Sequence, residues 1–181
     1  STKLKANAEQ IELLKEQLSK AVHLYDMVRG QNGQKISFER FVQMGYLEQV
    51  TIAANERLRY LSNNQYYLQP SDRKEGNAQS GLSLDILDSF TGQARDVKSL
   101  SGGEKFNASL SLALGMADVI QSIQGSVHIE TMFIDEGFGT LDEESLQKAI
   151  DTLIDLQQSG RIIGVISHVE ELKKAMPAIL E

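Results

Sequence analysis

Thr131-Met132-Phe133-Ile134-Asp135-Glu136-Gly137-Phe138-Gly139-Thr140-Leu141-Asp142 is the stretch on which the fold of this chain turns. Met132, Phe133 and Ile134 are apolar without alternation, the pattern of a strand buried on both faces in a parallel sheet covered by helices. The strand is expected over 131–134. Asp135 and Glu136 end the run, and side chains at the carboxyl end of such a strand reach the ligand crevice. Successive side chains leave a strand in different directions, so one carboxylate can serve a cation while the other faces a water. The plainer alternative is a pair of solvated acids in a loop. Asp142 precedes an amphipathic helix expected over 143–158 and can serve as its N-cap.

Downstream, Ile162-Ile163-Gly164-Val165-Ile166 reads as a second buried strand, followed by Ser167-His168 and a last helix. A histidine in that place is, taken alone, a packed or capping residue. Upstream, a helix expected from 102 to about 122 opens with Leu100-Ser101-Gly102-Gly103-Glu104. Ser101 and Glu104 have the spacing of a capping box, which explains many helix starts that hold no ligand. The two glycines are harder to explain by capping, because each weakens a helix relative to alanine. They leave bare N–H groups at the positive end of the helix dipole, an arrangement that binds phosphate. Alternation of strand and helix makes the class α/β, with mostly parallel buried strands flanked by helices.

The first half is organised differently. Leu4, Ile11, Leu18 and Tyr25 fall on one position of a seven-residue repeat, and Asn7, Leu14, Ala21 and Val28 fall on another. Such a period over residues 1–29 fits a coiled-coil strand; an ordinary amphipathic helix is the alternative. Glycine and asparagine at 30–34 mark a turn. Ser37 can cap a long helix over 38–63, closed by Asn63-Asn64. Two short strands are expected at 66–69 and 82–88, the latter from the alternation Leu82, Leu84, Ile86, with a polar loop over 70–81 between them.

The chain has 181 residues, 41% of them hydrophobic, and a formal net charge of -7, which suits one domain with a sizeable core. A run of about 18 apolar residues, as a membrane span needs, is missing, and the apolar stretch 119–132 is broken by Gln121, Gln124, His128 and Glu130. The start at Ser1 lacks an apolar signal region and suggests a fragment. There are no cysteines, so disulfides and thiolate metal sites are excluded. His23, His128 and His168 show no metal-ligand spacing. The absence of cysteine fits a cytoplasmic location, and the acidic balance argues against coating nucleic acid by charge alone.

Taken in order, Leu100–Glu104, Met132–Glu136, Gly139–Asp142 and Ser167-His168 resemble the signature motif, Walker B strand, D-loop and switch histidine of ABC-type ATPases. The wording of residues 135–142 is similar to the SbcC branch, the bacterial counterpart of the Rad-type double-strand-break repair ATPases. Ser37-Phe38-Glu39-Arg40-Phe41-Val42 and Ala54-Asn55-Glu56-Arg57-Leu58 extend the resemblance upstream, so that it covers nearly the whole chain. Thr131 departs from the apolar residue usual at the start of the Walker B strand. The sequence has no Gly-Lys dipeptide and therefore no G-x-x-x-x-G-K-[ST] loop. In SbcC-like proteins that loop and the Q-loop lie in an amino-terminal lobe, across a long antiparallel coiled coil.

The resemblance implies residues 1–29 as the base of the returning coiled-coil arm and 30–181 as the carboxy-terminal ATPase lobe. It implies ATP and Mg2+ held between two heads. Ser101, Gly102, Gly103 and Glu104 would contact ATP bound by the opposite head, with Asp135 orienting Mg2+ through water. Glu136 would be the general base or water-orienting group, His168 would reach the γ-phosphate, and Gly139, Leu141 and Asp142 would lie at the head–head interface. The implied partners are the amino-terminal Walker A lobe, a second head, an SbcD-type nuclease and double-stranded DNA ends, with no membrane, in a cytoplasmic and nucleoid-associated setting. The lobe alone is expected to be inactive. The alternatives are the head lobe of an SMC-type chromosome-organising protein and an inert coiled-coil interaction module.

Overall fold

A computed structural model describes residues 2–31, 36–71, 82–125, 129–176 and 178, with side chains from residue 10 onward. The side chains of Leu4 and Asn7, His128, and most of the expected turn at 30–34 and loop at 70–81 lie outside the described residues. The chain divides into two compact units, one comprising 1–45 with 72–82 and the other 46–71 with 83–181.

In the first unit, helix α1 (Thr2–Arg29) runs without an internal glycine or proline. It ends at Gly30, which adopts φ +79°. The Gly30 amide donates to Met27 O and the Gln31 amide to Asp26 O, the two bonds of a Schellman cap, which only a residue at ease in the left-handed region completes without strain. Along the seven-residue seam Ile11, Leu14, Leu18, Tyr25 and Val28 are 48–64% exposed. Helix α2 (Phe38–Leu61) begins in this unit, with Ser37 Oγ accepting from the Arg40 amide.

In the second unit α2 buries Thr51, Ala54, Leu58 and Leu61. It closes where expected, at Asn63 and Asn64, both left-handed at φ 53° and 61°. Strands β1 (Tyr66–Pro70), β2 (Leu84–Asp88) and β3 (Gln93–Asp96) then form an antiparallel sheet in the order β1-β2-β3. Two of these strands were expected; β3 was not. Gln93-Ala94-Arg95-Asp96 carries no apolar alternation, because the strand is an edge held by backbone pairing to β2. The tight turn between β2 and β3, capped by Asp88 Oδ1 on the Phe90 and Thr91 amides, makes that pair antiparallel. Asn55 fastens α2 to β1, its amide donating to Leu68 O and its oxygen accepting from the Leu68 amide, each at 2.8 Å. Ala54, Leu58, Tyr66, Leu68, Ile86, Leu100 and Ala108 form the core under this sheet.

Helix α3 (Gly102–Gln124) leads to β4 (Thr131–Asp135), α4 (Glu143–Gln158), β5 (Ile162–Ile166) and the short α5 (Glu170–Ala175). β4 and β5 pair in parallel, with Asp135 opposite Ile166. α4 has the predicted bounds and buries Leu146, Ala149, Ile150, Leu153 and Leu156 at helical spacing. These pack with Leu110, Leu114, Phe138 and Leu172, and with Met132, Ile134, Ile163 and Val165 from one face of the parallel pair.

The class is α/β, as the sequence implies, but two details differ. The strands are not mostly parallel, since the three strands before α3 form an antiparallel sheet. Nor are β4 and β5 covered on both faces: Phe133, Ile162 and Ile166 are 77%, 65% and 59% exposed. An unbroken apolar run shows that both faces of a strand are apolar, and the described residues supply a cover for one face only. No helix among them is long and apolar enough to cross a membrane.

Candidate functional site

The parallel pairing of β4 and β5 does not stop at Asp135. The Glu136 amide donates to Ile166 O at 2.9 Å, which draws the chain past the strand end. Glu136 then takes φ +57° and Gly137 φ +96°. A left-handed backbone costs a residue with a side chain about 1–2 kcal/mol, and such outliers collect at functional sites, where the surroundings enforce them. Here the enforcement is visible. Phe138 begins a single 3-10 turn, Phe138–Thr140, and is buried against the Phe106 ring with centroids 4.6 Å apart. Thr140 Oγ1 donates to Gly137 O at 2.7 Å and locks the turn.

Asp135 and Glu136 are exposed and line one cleft of about 450 Å³ between α3 and β4, with Gly102, Lys105, Phe106 and Thr140. His168 follows β5, and the strand pairing brings it beside the β4 end. Its Nδ1 lies 3.3 Å from Glu136 Oε2, with the two side chains 76% and 58% exposed. At that exposure the pair contributes little to stability; its significance is geometric. The other edge of the imidazole faces Gly139, where a Cβ would stand 3.5 Å from Nε2.

The second cluster is built on the start of α3. Ser101 is the N-cap, and the predicted capping box is complete: Ser101 N donates to Glu104 Oε2 at 2.7 Å and Glu104 N to Ser101 Oγ at 3.4 Å. Capping consumes the amides of residues 101 and 104, and helix geometry leaves those of Gly102 and Gly103 without an intrahelical acceptor. The glycines also have a packing reason. A Cβ on Gly103 would lie 2.9 Å from Thr140 O, and one on Gly102 would lie 3.3 Å from Thr140 Cβ and Cγ2.

Glu104 is held from its other side by Tyr66, whose hydroxyl donates to Oε1 at 2.6 Å. Arg95 Nη2 stands 3.9 Å from Oε2. Burial, and then the hydrogen bond to Glu104, push the Tyr66 hydroxyl up to about 12. Partial burial acts to raise the Glu104 carboxyl, but hydrogen bonds from Tyr66 and Ser101 and the charge of Arg95 outweigh it and hold the group below its ordinary value. Asp142 is the N-cap of α4, accepting from the Ser145 amide at 2.7 Å. The hydrogen bond from Ser145 holds its carboxyl below the ordinary value. Ser101–Glu104, Leu141 and Asp142 line a polar groove of about 600 Å³, together with Asn63, Gln65 and Glu144.

The expected site residues therefore fall into two groups. Asp135, Glu136, His168 and Gly139 meet at the strand ends; Ser101, Gly102, Gly103, Glu104, Leu141 and Asp142 meet at the helix starts. Gly102 and Thr140 line both clefts, whereas Ser101 lines only the groove and the Asp135–Glu136 pair only the cleft. Among the described residues no group of three His, Cys, Asp or Glu side chains could hold a metal unaided. One strand-end carboxylate suits Mg2+, which takes most of its ligands from water and substrate phosphates. Sequence reasoning missed Tyr66 and Arg95, which lie outside every motif. It also missed Asp118, which joins Arg57 and Arg161 at 2.7 Å each and ties α2 and α3 to the entry of β5.

Residues 79–155 match the family described as "SbcC/RAD50-like, Walker B motif". The chain is 53% identical over 152 residues to the SbcC component of the SbcCD nuclease of Vibrio cholerae, covering 83% of this chain and 15% of that protein. It is 48% identical over 160 residues to the SbcC component of the SbcCD nuclease of Staphylococcus epidermidis, covering 87% of this chain and 16% of that protein. It thus spans less than a fifth of the length of these relatives. In structure it resembles the Smc head domain with a coiled coil and joint from Pyrococcus yayanosii, with a TM-score of 0.58 at 19% identity over 97% of this chain and 30% of that one. The Smc head domain of Pyrococcus furiosus, bound to the C-terminal domain of ScpA, gives a TM-score of 0.57 at 18% identity over 96% of this chain and 39% of that one. At that identity the likeness shows the fold alone.

Proposed function

This chain belongs to the SbcC/RAD50-like family, and from that premise we propose that it is the carboxy-terminal lobe of an ATPase head that hydrolyses ATP between two heads. One observation carries the reading: Ser101 and the Asp135–Glu136 pair face different clefts. A phosphate-binding helix start and hydrolytic carboxylates so arranged serve two nucleotides, each completed by another polypeptide surface.

In this reading the Ser101 hydroxyl and the Gly103 amide, with Gly102 and Glu104 shaping the turn, bind the γ-phosphate of ATP held by the opposite head. In the other cleft Glu136 orients a water and takes its proton. The water oxygen bonds to the γ-phosphorus as the bond to the bridging oxygen breaks, and ADP leaves. His168 reaches the same phosphate and stands beside the Glu136 carboxylate, whose direction the left-handed turn sets. Asp135 would hold Mg2+, and the ion would supply positive charge to neutralise the phosphate oxygens. Gly139, Leu141 and Asp142 form part of the head–head contact. The catalytic gain comes from positioning and electrostatics, as phosphoryl transfer requires.

The uncovered face carrying Phe133, Ile162 and Ile166 supports an amino-terminal lobe with the Walker A loop as its cover. The half-exposed seam of α1 supports a coiled-coil partner, with residues 1–29 as the base of the arm and 30–181 as the lobe. The whole protein would use ATP-driven head engagement to control an SbcD-type nuclease at double-stranded DNA ends, in the cytoplasm and at the nucleoid. Assembly of this chain with its Walker A lobe tests the assignment. Glu136→Gln should preserve ATP binding, accumulate engaged heads by light scattering, and lower turnover roughly 10²-fold or more. Turnover close to that of the unsubstituted head would remove Glu136 from the reaction.

A further inference from the structure

We propose that Tyr66 and Arg95 are positioning residues for the start of α3: they pin the Glu104 carboxylate to the Ser101 amide and offset its charge, which keeps the Gly102 and Gly103 amides open to an anionic phosphate. The inference rests on the reading of residues 101–104 as a contact for ATP.

A carboxylate one turn inside a phosphate-binding helix start is a problem of charge. It complements the helix dipole, yet it repels the phosphate the same dipole attracts. The structure resolves the conflict with three contacts. Glu104 Oε2 accepts from Ser101 N at 2.7 Å, Oε1 accepts from Tyr66 Oη at 2.6 Å, and Arg95 Nη2 stands 3.9 Å from Oε2. Arg95 Nη1 also donates to Ser99 O at 3.5 Å, so one guanidinium braces both sides of the turn that presents Ser101. Hydrogen bonds to an ionised acceptor are the strong ones.

Both supports stand on the antiparallel sheet. Tyr66 lies on β1, is 8% exposed, and shares a core with Leu100 and Ala108, which flank the turn. Arg95 lies on β3 opposite Ile86 of β2. The antiparallel sheet therefore acts as the bracket of the helix start. With the Tyr66 hydroxyl pushed up to about 12 and Glu104 held below its ordinary value, the donor stays protonated and the acceptor stays charged across the physiological range.

The test uses the head assembled from this chain and its Walker A lobe, with steady-state ATP turnover as the readout. Tyr66→Phe keeps the ring and its packing and removes only the donor. It should raise the KM for ATP about tenfold, the loss expected for one hydrogen bond to a charged group, and leave kcat within about twofold. Arg95→Gln, at a half-exposed site that does not endanger folding, should shift KM in the same direction. Glu104→Gln keeps an acceptor for the Ser101 amide but removes the charge, so adding Tyr66→Phe to it should raise KM less than about twofold further, a non-additive result that simple packing does not produce. An unchanged KM in Tyr66→Phe and Arg95→Gln, or full additivity with Glu104→Gln, overturns the proposal while leaving the ATPase reading intact. Absence of turnover in the unsubstituted head overturns that reading, and the proposal with it.

Discussion

His168 Nδ1 lies 3.3 Å from Glu136 Oε2, although the two residues leave the ends of different strands. The contact exists because β4 and β5 pair in register and Glu136 N extends the pairing to Ile166 O. The sheet thus sets the separation of the two groups, and the left-handed turn at Glu136 sets the direction of its carboxylate.

That turn is strained, and the strain can be measured. Glu136→Ala and Glu136→Gly both lose the contact with His168, but only glycine relaxes at φ +57°. In urea unfolding of the 181-residue chain, Glu136→Gly should be more stable than Glu136→Ala by about 1 kcal/mol. Equal midpoints, or the reverse order, would show that the backbone there is unstrained.

The glycine pair at the start of α3 should be unequal. A Cβ on Gly103 meets a backbone oxygen, Thr140 O, at 2.9 Å, whereas one on Gly102 meets the Thr140 side chain at 3.3 Å. Side chains can yield where backbone cannot. Gly103→Ala should therefore destabilise the chain by about 1–3 kcal/mol, an overpacking cost, despite the better helix propensity of alanine. Gly102→Ala should cost less than half as much. Thermal denaturation of the two variants decides it, and equal losses would contradict the packing account.

Asp142 has a structural role that can be separated from its place at the proposed interface. Its carboxylate caps α4 through the Ser145 amide. Asp142→Ala should lower stability by about 1 kcal/mol, whereas Asp142→Asn, also a good N-cap, should lose little. The folded carboxyl sits below its ordinary value, so its contribution is present above the ordinary range and disappears as pH falls through the depressed value. The difference between wild type and Asp142→Ala should shrink on acidification. A gap that is independent of pH would assign the loss to something other than the ionised cap.

Much of this was legible in the sequence, for identifiable reasons. The bounds of α4 follow from a capping aspartate and an unbroken helical repeat, and β4 and β5 follow from apolar runs. The capping box of Ser101 and Glu104 is local and shows in their spacing. Three features were not legible. β3 is an edge strand, and its pairing leaves no apolar pattern. The open face at Phe133 was hidden because an apolar run does not say what covers it. Tyr66 reaches Glu104 across 38 positions, and Arg95 comes from a third element; only the folded sheet brings them together. The juxtaposition of His168 with Glu136 was in reach only through the family resemblance, since no local rule links the two.

ATP turnover by the 181-residue chain, measured alone and then after assembly with its Walker A lobe, decides whether this lobe is half of a two-part ATPase. The chain alone should show negligible hydrolysis, the assembled head should turn ATP over, and Glu136→Gln should abolish that turnover. Robust, titratable turnover by the chain on its own, or an assembled head that stays inert, would contradict the two-part reading.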